Sequence, residues 1–183
     1  HLLWMLPASF VLGMVSLIFP LNLIWIPASV YGSLWYVGIR DPGRVFYLAG
    51  DYAKAIELFE QSILSKPNSA EARFYLGLAY DKAGNKTKAI ESYKEVVRLK
   101  PSSSEAFCNL GMCYKDLGNF EMAIDSFKEA VSINPAYDRA RGNLGLVYAE
   151  ISDIANALKE YEILKMSNKA YAAELHKAII AKN

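Results

Sequence analysis

Between Leu2 and Ile39 the chain carries no Asp, Glu, Lys or Arg. All 20 basic and 19 acidic residues come after that stretch, with the signs interspersed and a net charge of only +1. Such a balance offers no extended basic surface able to neutralise several phosphates, so nucleic acid is not an expected partner. Histidine is almost missing too: His1 and His176 are the only two. No H-E-x-x-H, no Gly-rich phosphate loop ahead of a helix and no nucleophile elbow occurs. Neither catalytic residues, nor a metal site, nor a cofactor is expected, and the chain does not read as an enzyme. The two cysteines, Cys108 and Cys113, lie five residues apart on one expected helix. That spacing turns them to different faces and puts their Cα atoms beyond the ~7 Å a disulfide tolerates. They read as small apolar residues in a reducing compartment. The first residue is His1, so processing or an upstream segment is expected.

The uncharged stretch is mostly apolar and too long for one upright membrane span of about 20 residues. A cleaved signal peptide would need a basic start and a shorter apolar core. Pro20, Leu21 and Asn22 sit at its midpoint and make a reversal, leaving segments over 3–19 and 23–39. Each is about 25 Å long as a helix. In such a hairpin Trp4 shares an interface with Trp35 and Tyr36, and Trp25 lies near the opposite one, in keeping with the aromatic preference for membrane interfaces. Residues 1–41 are therefore expected to form a membrane segment of two transmembrane helices. One tilted span with a re-entrant stretch, or the end of a larger membrane domain, are the alternatives. Arg40 and Arg44 come directly after it. The positive-inside rule then puts residues 42–183 on the cytoplasmic side, with the lipid bilayer as a partner and other transmembrane subunits as a further possibility.

What the rest of the chain has in quantity is repetition. A small residue returns at Ala55, Ala89, Ala123 and Ala157, and an aromatic four places on at Phe59, Tyr93, Phe127 and Tyr161, each at an interval of 34 residues. A fixed period of that length is the signature of a stacked helical array. The punctuation repeats as well. Gly50-Asp51, Gly84-Asn85 and Gly118-Asn119 offer a left-handed helix end followed by a cap, and Ser152-Asp153 is an altered copy. Pro67, Pro101 and Pro135 close the pairs, and Ser69 and Ser103 are candidate caps after the first two. Helices are expected over 42–49, 52–65, 70–82, 86–99, 104–117, 120–133, 138–150, 154–166 and 169–181.

Leu76-Gly77 with Tyr80, Leu110-Gly111 with Tyr114 and Leu144-Gly145 with Tyr148 each read L-G-x-x-Y. With the alanine, aromatic and proline positions they resemble the tetratricopeptide (TPR) repeat over more than two-thirds of the chain. The resemblance implies an all-α fold: a TPR helical solenoid of about three full repeats, a truncated first copy and a C-terminal capping helix, after the transmembrane hairpin. Departures are specific. Arg73 and Arg141 replace the aromatic expected three residues before the Leu-Gly pair, Pro42-Gly43 replaces Leu-Gly in the first copy, and Lys169 stands where the fourth closing proline would be. The last helix should turn Tyr171, Leu175, Ala178 and Ile179 inward.

In TPR proteins the first helix of each pair lines a concave groove. By resemblance, Phe74, Leu78 and Asp81, then Cys108, Asn109 and Met112, then Arg139, Asn143 and Leu146 are the residues that meet a protein partner. Clamping of a C-terminal carboxylate by this family uses Lys and Asn one turn apart in the first full repeat. Phe74 and Leu78 stand there instead, so that use is not expected. The floor is apolar, which suits an amphipathic helix laid in the groove. The competing reading is that these residues are covered from within, by the cap helix or by their neighbours. The function expected is a membrane-anchored interaction scaffold, an adaptor or assembly factor. An accessory subunit of a larger membrane complex is the alternative.

Overall fold

The structure is a computed structural model and describes residues 41–182. Helices account for nearly all of it: α1 (Pro42–Leu48), α2 (Tyr52–Ser65), α3 (Ala70–Lys82), α4 (Lys86–Leu99), α5 (Ser104–Asp116), α6 (Phe120–Ile133), α7 (Asp138–Glu150), α8 (Ile154–Ser167) and α9 (Lys169–Ile180). These match the expected spans to within a residue at either end. Among the described residues there is no strand, and no helix is long and apolar enough to cross a membrane. The expected transmembrane hairpin lies outside the described residues.

Local chemistry explains where the helices stop. Gly50, Gly84 and Gly118 take φ of +82°, +82° and +75°. From that conformation the next N–H reaches back to the carbonyl five residues earlier: Asp51 to Phe46, Asn85 to Tyr80 and Asn119 to Tyr114, at 2.9–3.0 Å. This is the bond pattern that satisfies the last orphan carbonyls of a helix. The fourth copy keeps the bond, Asp153 to Tyr148 at 2.8 Å, but forces Ser152 to φ +63°. The side chains of Asp51, Asn85 and Asp153 each accept from the backbone N–H three residues on, as N-caps should. Asn119 stands in the same place yet makes no side-chain cap bond.

Every helix packs chiefly on its neighbours in sequence. Contact also joins α1 to α3 and α5 to α7, the first helices of successive pairs, whereas no comparable contact joins successive second helices. The array therefore closes up on the side of the first helices. At each inner joint the glycine of one helix lies against the aromatic ring of its partner. A Cβ at Gly77 would stand 2.7 Å from the Tyr93 ring, and one at Gly111 would stand 2.8 Å from Phe127. Phe59, Tyr93 and Phe127 have no exposed surface at all, nor do Ala55, Ala89 and Ala123.

The two arginines that replace the repeat's aromatic have a common task. Arg73 donates through Nε and Nη2 to the Pro67 carbonyl at 3.2 and 2.8 Å, and Arg141 donates to the Pro135 carbonyl at 3.1 Å. Each pins the preceding loop to the helix it opens. Arg141 is also paired with Glu160 at 2.7 Å in a nearly buried setting.

The fourth pair is built differently. Tyr161, which the period places with Tyr93 and Phe127, is only half-buried and stacks on His176 with ring centres 5.3 Å apart. Leu175 of α9 fills the place over Gly145 instead, and Tyr171 lies over Gly142. Asn168 alone links α8 to α9, ending one helix and capping the next. Without a proline-bearing loop, α9 turns back at once and packs on both α7 and α8. Leu175 and Ile179 are buried and Tyr171 and Ala178 half-buried, as the sequence pattern predicts.

Candidate functional site

The first helices of the pairs bring the expected partner-binding residues onto one side of the array, but they are not equivalent. Phe74, Leu78, Met112 and Leu146 are half-buried, each resting against the core with part of its surface free. They form an apolar midline along α3, α5 and α7. Cys108 is fully buried and Asn109 is 7 % exposed, so these two support the groove wall without offering surface to a partner. Burial raises both thiols above the ordinary range, and Cys113, which donates to Asp81 at 3.7 Å, is lifted to about 12.

Charge is distributed unevenly along that midline. Asp81 accepts from Lys86 Nζ at 2.6 Å, and the same ammonium is held by Asp116. Burial alone would lower the Lys86 pKa, but its hydrogen bonds to Asp116 and Asp81 outweigh it and raise the value. Toward α7 the sign reverses. Arg139 donates to Asn109 Oδ1 and points Nη2 at the Met112 sulfur 3.3 Å away. Asn143 donates to the Arg139 carbonyl at 2.8 Å and accepts from Lys115 Nζ at 3.4 Å. Neither Arg139 nor Lys115 meets a carboxylate among the described residues. These two cations have only neutral acceptors.

The cap helix closes one end. A cavity of about 290 Å³ lies between α5, α7 and α9, lined by Lys115, Leu146, Ala149, Glu150, Ala178 and Lys182. Leu146 is therefore bounded by the chain's own last helix, whereas Phe74, Leu78 and Met112 have no such cover among the described residues. At the other end stands an aromatic cluster that sequence reasoning did not single out. Tyr75 stacks on Phe59 with centres 5.7 Å apart, Phe74 meets both Tyr75 and Tyr93 edge-on, and the Arg44 guanidinium lies 4.8 Å above the Tyr75 ring. The available signal was Tyr93 in a position where Phe59 and Phe127 show that a hydroxyl is not needed for packing.

Among the described residues, no group of three or more His, Cys, Asp or Glu could hold a metal ion. A stacked array of helix pairs with one continuous face of mixed apolar and charged side chains belongs to the solenoids that present a surface to other molecules. Residues 41–104 and 104–137 match family profiles described as tetratricopeptide repeat, and the chain belongs to that family. No curated protein matches it. Among solved structures it is similar to a crystal structure of MamA, at 27% identity and TM-score 0.68, over 78% of this chain and 94% of that one. It is also similar to YrrB, described as a TPR protein with an unusual peptide-binding site, at 22% identity and TM-score 0.67, over 74% of this chain and 71% of that one. A third likeness is to residues 41 to the end of MamA from Desulfovibrio magneticus RS-1, at 22% identity and TM-score 0.66, over 70% of this chain and 72% of that one. The two likenesses at 22% speak to the fold alone. The chain is a TPR-type protein interaction scaffold.

Proposed function

We propose that this scaffold holds a protein partner near a membrane, with its apolar N-terminal segment in the bilayer and its repeats on the cytoplasmic side. The partner lies along Phe74, Leu78 and Met112. The observation that carries this reading is the apolar midline of α3 and α5: Phe74, Leu78 and Met112 rest against the core with part of their surface free. Partly exposed apolar surface of that kind marks a docking site. The membrane half of the proposal rests on the uncharged stretch from Leu2 to Ile39 and on Arg40 and Arg44 after it. An accessory subunit of a larger membrane complex is the second reading, and the small residues Gly13, Ser16, Ser29, Gly32, Ser33 and Gly38 suit helix packing there.

The test is co-purification from mild detergent. Leu78→Asp or Met112→Asp should lose the partner while helicity, read by circular dichroism, stays at the wild-type level. Retention of the partner by both variants removes the groove from consideration. Alkaline carbonate washing should leave the wild-type chain in the membrane pellet, and its release would remove the anchor. Because both native thiols are buried, sidedness is read from Lys177→Cys on α9. A membrane-impermeant thiol reagent should label it only from the cytoplasmic face.

A further inference from the structure

The two edges of the array differ in charge. At the glycine turns acids and bases are mixed, Asp51 with Lys54, Asp81 with Lys86 and Lys115 with Asp116. At the opposite edge, where the second helices end, residues 64–70, 98–104 and 165–170 hold Lys66, Arg98, Lys100, Lys165 and Lys169 and no Asp or Glu, and residues 132–137 carry no charge. All five cations are exposed. So are Leu64 and Met166, at 82 % and 88 % the most open large apolar side chains among the described residues. The helix dipole favours cations near a helix C-terminus and accounts for part of this bias. It does not account for Lys169 in the first turn of α9, nor for a leucine left in water.

The first pair adds a geometric reason to look at this edge. Gly43, the second residue of α1, lies against the Phe59 ring of α2. From there α2 runs on to Ser65, about 9 Å further at 1.5 Å per residue, with no first helix beside it. The first helices of later pairs have 13 residues, and α1 has only 7. The end of α2 thus projects past Pro42, on the edge from which the chain leads back to residues 1–40. Ile39, the last residue of the uncharged stretch, is three residues before Pro42, a reach of at most about 11 Å. Near this end Glu60 accepts from Tyr80, Glu71 faces Arg44 at 3.9 Å and Glu95 holds Arg98 at 2.8 Å. Lys66 and Lys100 have no carboxylate partner among the described residues, and Glu105 at the start of α5 is the one acid there in the same state.

We propose that the C-terminal end of α2 and the loop after it dock on an anionic lipid surface, with Leu64 entering the headgroup boundary and Lys66 and Lys100 pairing with lipid phosphates. An apolar side chain flanked by cations without counter-charges is what holds a protein segment at such a boundary. Covalent reach and the overhang of α2 bring Leu64 to the depth at which the uncharged stretch starts. A lipid contact beside the point of attachment holds the array at one tilt and so keeps the groove at a fixed height above the bilayer. The proposal rests on the reading that the N-terminal segment lies in the bilayer.

The test uses the full chain in vesicles, with an environment-sensitive fluorophore on Leu64→Cys; both native thiols are buried. Thr87→Cys, exposed at the glycine-turn edge, is the control. In equal parts of phosphatidylcholine and phosphatidylglycerol, lipids with brominated acyl chains should quench the label at position 64 and leave that at position 87 bright. Lys66→Gln with Lys100→Gln should weaken the contact about thirtyfold, the worth of two cations beside an anionic surface. Quenching should then fall to the level seen with phosphatidylcholine alone, while circular dichroism shows unchanged helicity. Quenching at 64 no greater than at 87, or equal in neutral and anionic vesicles, would overturn the proposal. So would a label shielded from water but untouched by brominated lipid, which reports a protein on this face. Carbonate washing judges the anchor separately. If the chain stays in the pellet and position 64 is not quenched, the docking surface alone falls. If carbonate releases the chain and position 64 is still quenched on anionic vesicles, the anchor falls and the docking surface stands.

Discussion

The inner joints of the array and its last joint start from the same residue pattern and reach different packings. At the inner joints, a glycine on the first helix receives a rigid ring from the second, Tyr93 over Gly77 and Phe127 over Gly111. At the last joint, the glycine is covered by Leu175 from the cap helix, and the ring of Tyr161 is left half-exposed against His176. The next element of the chain makes the difference. Each inner pair leads through a proline-bearing loop into another full pair, which traps the ring between three helices. The fourth leads through Asn168 into a single helix that turns straight back. A repeat motif thus fixes what its residues can do, and the neighbour decides which of them does it.

Cutting away the rings tests that contrast most strongly. Phe127→Ala should cost about 3–5 kcal/mol, the range for an aromatic removed from a closed core. Tyr161→Ala should cost under about 1 kcal/mol, since part of its surface is already in water. Urea denaturation of the two variants compares them directly, and equal losses would mean the joints are alike after all. Adding a methyl group comes next. Gly111→Ala drives a Cβ to 2.8 Å from a ring held on every side and should lose about 1–2 kcal/mol net, after the helix-propensity gain of alanine. Gly145→Ala meets a leucine methyl on the terminal helix, which can give way, and should come within about 0.5 kcal/mol of wild type.

Alkali separates the joints by charge. Burial raises Tyr93, burial lifts Cys113 from 9.0 to about 12, and hydrogen bonds to Asp116 and Asp81 raise Lys86 against the pull of burial. All three lie at the inner joints. The folded chain keeps these protons after the unfolded chain has released them, so the stability they lend is whole below about pH 9 and falls as pH rises toward 12. Unfolding midpoints taken on either side of pH 9 should show that fall, and Cys113→Ser should remove its earliest part. The smallest effect is at the turns. Ser152 holds a left-handed conformation that costs a side-chain-bearing residue about 1–2 kcal/mol. Ser152→Gly should recover about 0.5 kcal/mol after the extra freedom glycine gives the unfolded chain. Gly118→Ser should lose a similar amount.

Most of the fold was legible because the signals are local and repeated. Capping residues, left-handed glycines and closing prolines act within a few residues of themselves, and three or four copies in register confirm one another. The groove was legible only in outline. Leu78 and Met112 are half-exposed as the pattern implies, but Cys108 and Asn109, expected on the same face, are closed off by Arg139 and Tyr137 from the next repeat. Depth of that kind depends on how far one helix leans over another, which residue spacing does not encode. Arg73 and Arg141 looked like losses from the motif, and their shared bond to a proline carbonyl appears only once the loop is folded back.

The sequence by itself determined the class of fold, the helix limits and the sites of small-to-large contact. Each arises from backbone geometry and side-chain size within a single 34-residue unit. Tertiary structure decided what happens where units meet or run out. It exchanged Tyr161 for Leu175 at the last glycine, left the buried Tyr93 hydroxyl without a hydrogen bond, and gave Arg139 and Lys115 neutral acceptors with no carboxylate partner among the described residues. Those outcomes depend on contacts between residues from different helices and different repeats, and no local rule ranks such contacts before the helices are stacked.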